Sequence, residues 1–161
     1  GMLQSLSAIA NKGNIMRPYL VARTVDADGV VTETAPQILA QQVISEPTAL
    51  MVSRMMALAV KNTYLKNKMS VDGYTIAAKT GTAQIPNPDG RGYLGPDQTI
   101  QSIVSFFPAY DPRYILFFKM NKPKGSDAAG NSLPVYVKNM IVFLIQYAHI
   151  PQERMSEINT P

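Results

Sequence analysis

The chain has 161 residues and a net charge of +4 at neutral pH, and with 46% hydrophobic and 16% charged residues it predicts one globular domain and excludes a disordered segment. It contains no cysteine, which excludes disulfides, thiol catalysis and cysteine-ligated zinc. Its basic residues are scattered and no stripe interleaves arginine with aromatics on one face, so no nucleic-acid partner is expected.

Near the start, Leu3, Leu6, Ile9 and Ala10 recur at helical spacing until Asn11 and Gly13, which predicts a helix over residues 2–12. Residues 19–25 and 30–34 are β-rich runs joined by Asp26-Ala27-Asp28-Gly29, a hairpin signal. Ser45-Glu46-Pro47 then opens a helix, with serine as cap and proline in the first turn. In it Met51, Val52, Met55, Met56, Ala59 and Val60 form one apolar stripe, expected to pack in the core rather than to make a promiscuous binding face. Lys61, Lys66 and Lys68 are placed in a connection.

Residues 74–84 are rich in β-branched, aromatic and small side chains and predict a strand. Pro86, Pro88, Gly90, Gly92, Gly95 and Pro96 break any regular structure over the next stretch. Two more strands are predicted over 98–107 and 113–120, joined through Tyr110-Asp111-Pro112. The second is apolar on both faces, which reads as a central strand covered by helices on each side. Asn131 or Ser132 is expected to cap the last helix, with Pro134 in its first turn. Val137, Met140, Ile141, Leu144, Ile145 and Ala148 should lay that helix across the sheet. Pro151 closes it, leaving a polar tail over 152–161. The fold class is therefore α+β, an antiparallel three-strand meander covered by helices.

The chemistry concentrates in Lys79-Thr80-Gly81-Thr82-Ala83, a cation, two hydroxyls and a bare backbone position in one extended run. Gly81 removes a side chain where another backbone or a substrate could approach. Alternate residues of a strand direct their backbone groups the same way, so Thr80 and Thr82 can both offer amides to an anion while their hydroxyls bind a carboxylate. Lys79 supplies the positive field.

Lys-Thr-Gly is the third signature of the penicillin-binding proteins and class A β-lactamases. The chain resembles the C-terminal part of a class B penicillin-binding protein, a peptidoglycan D,D-transpeptidase. That resemblance runs through LQSLSAIANKGNIMRPYLV at the start, KTGTAQIPNPDG in the middle and SFFPAYDPRYILFFKMNKPKG after it. The extension Thr82-Ala83-Gln84 is more similar to class B transpeptidases than to β-lactamases. The resemblance implies a partial penicillin-binding/β-lactamase-like transpeptidase fold over residues 2–151. The family's other two motifs, Ser-x-x-Lys and Ser-x-Asn, do not occur in the sequence. They are expected upstream of Gly1, so the chain would hold one wall of an active site and lack the nucleophile. Gly1 ahead of Met2 resembles the remnant of a removed tag, which would leave any membrane anchor or export signal outside this stretch.

By resemblance, the parent protein works at the extracytoplasmic face of the bacterial cell membrane, with peptidoglycan stem peptides as substrates and β-lactams as inhibitors. Lys79 would support the proton relay and the substrate carboxylate, Thr80 and Thr82 would bind that carboxylate, and Gly81 would give clearance. The backbone amide of Thr82 would serve as one oxyanion-hole donor. Residues 85–97 would rim the cleft. A β-lactamase or β-lactam sensor, an inactive interaction module of the same fold, and an unrelated carboxylate-binding protein stay open as alternatives. Self-association of the chain is expected from the apolar faces that the missing half would cover.

Two further features are set aside. The run from Gly90 to Gly95 matches a dinucleotide fingerprint, but Pro96 and Asp97 lead into a strand where the fingerprint needs a helix N-terminus. His149, the sole histidine, falls at the end of the last helix with no serine or carboxylate placed beside it. Asp26, Asp28 and Glu33 belong to a hairpin and Asp89, Asp97 and Asp111 to turns, with no metal-ligand cluster, and neither metal nor cofactor is expected.

Overall fold

The structure, a computed structural model, describes residues 1–154. Helix α1 (Met2–Ala10) is followed by the short strand β1 (Ile15–Met16), the hairpin strands β2 (Arg23–Val25) and β3 (Val31–Glu33), and β4 (Ile38–Ala40). The long helix α2 (Glu46–Asn62) and the short α3 (Leu65–Met69) come next. Strands β5 (Ala77–Gln84), β6 (Thr99–Phe107) and β7 (Tyr114–Asn121) form the main sheet, and α4 (Ala129–Ser132) and α5 (Pro134–Tyr147) close the chain.

The main sheet is an antiparallel meander in the order β5-β6-β7, as the three consecutive strand signals separated by turns predict. Side chains alternate across it. Ala78, Ile103 and Phe107 point into a core built with α3 and α5 through Leu65, Met69, Val137 and Ile141. Ala77, Val104 and Phe106 point the other way, against Met56 and Ala57 of α2, with Leu6 and Ile9 of α1 packed alongside. Helices therefore cover both faces, and β5 runs between them.

The signals at α2 act as expected. Ser45 Oγ accepts from the Thr48 N–H at 3.3 Å, and Pro47 lies in the first turn, where its missing N–H costs nothing. Its buried face differs from the stripe read in sequence. Ala49, Ser53, Met56, Ala57 and Val60 are buried, while Met51 and Met55 stand 60% and 62% exposed. Small residues at 49, 53 and 57 let the helix approach the sheet closely at Ala77, and the sequence is apolar enough all round that hydropathy does not single out this face.

Other expectations need correction. Strand β7 is an edge among the described residues and β6 is the central strand. Hydropathy ranks them wrongly because β6 buries Thr99, Gln101 and Ser105, polar residues that read as a solvent face. Helix α3 occupies part of what was placed as a connection, and β1 pairs with β4 where no strand was predicted. Residues 19–22 lie outside β2. Neither Asn131 nor Ser132 caps α5: both belong to α4, and Leu133 occupies the cap position without a side-chain bond. Within the stripe of α5, Met140 is exposed.

Of the polar tail, residues 155–161 lie outside the described residues. Its first part docks: the Glu153 N–H donates to Gly73 O at 2.9 Å, and the Glu153 carboxylate accepts from the Thr75 N–H.

Candidate active site

Strand β5 leaves the core at the Lys-Thr-Gly run. Ala77 and Ala78 are buried, whereas Lys79 and the positions from Gly81 to Gln84 are exposed and Thr80 is half-buried. Only one edge of β5 is paired, to β6, so among the described residues the other edge is open. Lys79, Thr80, Gly81 and Thr82 are thus brought together by strand continuity. Lys79 and Gly81 face one side of the sheet and Thr80 and Thr82 the other, and a ligand at the open edge is within reach of both.

Lys79 Nζ donates to the carbonyl of Thr80 at 2.6 Å. An ammonium has three donors, so two N–H groups remain for a ligand. Neither the Lys12–Glu46 nor the Arg113–Asp111 ion pair involves it, and among the described residues no carboxylate lies within ion-pair distance of it. Gly81 pairs in register with Ser102, and a Cβ built at Gly81 would come within 2.9 Å of Ser102 Oγ. The bare position therefore makes room first for a cross-strand hydroxyl.

Thr82 is tied to α4. Its Oγ1 accepts from the Ala129 N–H at 3.1 Å. Directly across the sheet from Thr82 lies Gln101, fully buried. Gln101 Nε2 donates to Thr99 Oγ1 at 3.1 Å and to the carbonyl of Ser126 at 3.0 Å, and its Oε1 accepts from Ser132 Oγ. These bonds make one polar network linking β6 to the segment 126–132 beside the signature strand. Sequence reasoning missed Gln101, Ser126 and Ser132. The available signal was Thr99 and Gln101 at strand spacing, two polar residues on one face of a run otherwise fit for the core.

Residues 85–97 fold back on themselves, with the Leu94 N–H donating to Ile85 O at 2.8 Å and the Asn87 N–H to Gly92 O at 3.0 Å. The run from Gly90 to Gly95 leads into β6 and opens no helix. His149 is exposed just past α5, with φ of 51°. Among the described residues no group of three or more histidine, cysteine, aspartate or glutamate side chains could hold a metal ion.

Residues 1–141 match the Transpeptidase family, described as the penicillin binding protein transpeptidase domain. Penicillin-binding protein PbpB of Mycobacterium tuberculosis is 33% identical over 159 residues, covering 94% of this chain and 23% of that protein. Peptidoglycan D,D-transpeptidase FtsI of Escherichia coli is 30% identical over 134 residues, covering 77% of this chain and 22% of that protein. The crystal structure of penicillin binding protein 3 from Mycobacterium tuberculosis, complexed with ampicillin, superposes with a TM-score of 0.78 at 28% identity, over 94% of this chain and 35% of that one. The chain thus spans about a quarter of the length of the first two relatives. An α+β sheet between helices, the signature on its open edge and a family match over most of the sequence lead to one conclusion: the chain belongs to the penicillin-binding protein transpeptidase domain family.

Proposed function

We propose that this chain forms one wall of a peptidoglycan D,D-transpeptidase active site, completed by a serine and its lysine on another segment of the parent protein. The observation that carries this reading is the position of Lys79, Thr80, Gly81 and Thr82 at the open edge of β5, where the strand emerges from the core. Lys79 keeps two donors and an uncompensated charge for the proton relay and the substrate carboxylate. The Thr82 hydroxyl spends a lone pair on Ala129, which leaves its own proton for that carboxylate, beside the Thr80 hydroxyl. Gly81 keeps a side chain out of the ligand's path as well as out of Ser102.

The Thr82 amide is assigned as an oxyanion-hole donor. Support comes from the Thr80 carbonyl: Lys79 reaches it from the strand edge, and backbone groups two residues apart point the same way. In the reaction, the serine oxygen bonds to the carbonyl carbon of the penultimate D-alanine, the C–N bond to the terminal D-alanine breaks, and that amine leaves with a proton. An amine of a second stem peptide then attacks the ester and returns the serine. A β-lactam would acylate the same serine, in keeping with the ampicillin complex of the Mycobacterium tuberculosis relative. The site would face the outside of the cell membrane, with the anchor on another segment. Among the described residues no helix is long and apolar enough to cross a membrane.

The test is Lys79→Ala in the full-length parent protein. Loss of one preorganised charge contact at a reacting centre costs about 3 kcal/mol, so acylation by a labelled penicillin should slow about a hundredfold. An exposed lysine contributes little to stability, so the unfolding midpoint should hold. Near-normal acylation by the folded variant would remove Lys79 from the site.

A further inference from the structure

A cavity of about 410 Å³ opens before the start of β5, between the second half of α2 and the turn that leads into the strand. That volume is within the range of small-molecule sites, about 300–1,000 Å³. Ala57, Val60 and Ile76, all buried, form its floor at the seam between the two cores. Tyr74 and Tyr110 add aromatic walls. Arg54, Lys61 and Lys66 stand exposed at the rim with Asp72 among the described lining residues, the Glu153 carboxylate sits behind the wall on the Thr75 N–H, and none of the three cations takes part in the ion pairs Lys12–Glu46 and Arg113–Asp111.

The wall opposite α2 is held in place from behind. Tyr74 OH donates to Ile150 O at 2.7 Å, the Glu153 N–H donates to Gly73 O at 2.9 Å, and the Ala109 N–H donates to Thr75 O at 2.8 Å. Gly73, at φ of 81°, makes the sharp turn, and a Cβ there would meet the Gln152 side chain at 2.9 Å. Pinning of this kind lowers the ordering cost of binding. The cavity is separate from the signature edge: none of the residues 79–82 lines it, and Ile76 lies about 10 Å along the strand from Lys79.

An apolar floor under unpaired cations suits one class of ligand. We propose that this cavity binds a small organic anion, with its carboxylate, sulfonate or phosphate at Arg54, Lys61 and Lys66 and an aromatic or branched apolar body against Ala57, Val60 and Ile76. This site is additional to the transpeptidase reading and does not depend on it.

Two dyes of similar body and different charge test it: anilinonaphthalene sulfonate and uncharged phenylnaphthylamine, titrated into the 161-residue chain at low salt. One saturable sulfonate site is expected, with amide chemical-shift changes concentrated in residues 54–61 and 70–76. The double variant Arg54→Glu, Lys61→Glu replaces two exposed side chains and should weaken the sulfonate about tenfold while leaving phenylnaphthylamine unchanged. Unchanged sulfonate affinity in the folded variant, an equal loss for both dyes, or shift changes centred on another surface would each overturn the proposal.

Discussion

Thr82 Oγ1 and the backbone N–H of Ala129 lie 3.1 Å apart across 47 residues of sequence, so the signature strand and α4 are held as one unit. Ala129 is fully buried, and its N–H has this hydroxyl as its acceptor. The threonine proposed to bind the substrate carboxylate therefore also holds the segment behind it.

Thr82→Val removes the acceptor and leaves a buried N–H unsatisfied, at a cost of about 1–3 kcal/mol. Thr82→Ser keeps it. Chemical denaturation should show a lower midpoint for the valine variant, and amide exchange at Ala129 should speed up in that variant alone. Equal behaviour of the two variants would show that the bond does not hold α4.

Gln101→Leu tests the network behind the sheet. The substitution strands the Ser126 carbonyl and leaves the Ser132 hydroxyl only its 3.5 Å contact with the Ala129 carbonyl, and should cost about 2 kcal/mol. The urea midpoint should fall with an unchanged slope. A leucine variant as stable as the parent would mean that apolar packing replaces the network without loss.

The long elements were legible because their signals are local. Ser45 and Pro47 mark the start of α2, and Asp26 closes the β2–β3 turn by accepting from the Asp28 and Val30 N–H groups at 3.0 and 2.9 Å. The signature strand was legible through composition and the fold class through three consecutive strands joined by breakers and covered by helices. What stayed hidden depends on partners distant in sequence. Ile15 and Met16 become a strand only by pairing with residues 38–40, and two or three residues carry no period. The buried face of α2 was set by the fit of Ala49, Ser53 and Ala57 to the sheet, which hydropathy does not see. Gln101 reads as polar surface because its partners lie at 126 and 132. Strand β7 has the sequence of a central strand, apolar on both faces, yet nothing pairs with its outer edge among the described residues.

That open edge, with Met51, Met55 and Leu58 exposed on α2 and Met2 and Leu3 on α1, makes self-association the expected behaviour of the isolated chain. Sedimentation should give a concentration-dependent average mass. Met51→Lys with Met55→Lys should lower it without moving the thermal midpoint, since both side chains are exposed. A compact monomer at every concentration would contradict this.

The central claim is that this chain holds one wall of the site and no nucleophile. No serine in it has a lysine three residues on, and in the proposed site the open edge of β5 would offer Lys79, Thr80 and Thr82 to a carboxylate without enclosing a ring. Affinity for a penicillin should therefore be no better than about 1 mM. Mass spectrometry of the denatured 161-residue chain after incubation with a penicillin tests the claim most directly. The account predicts the unmodified mass, while the full-length parent protein gains one acyl adduct. A stoichiometric adduct on any serine of this chain would contradict it.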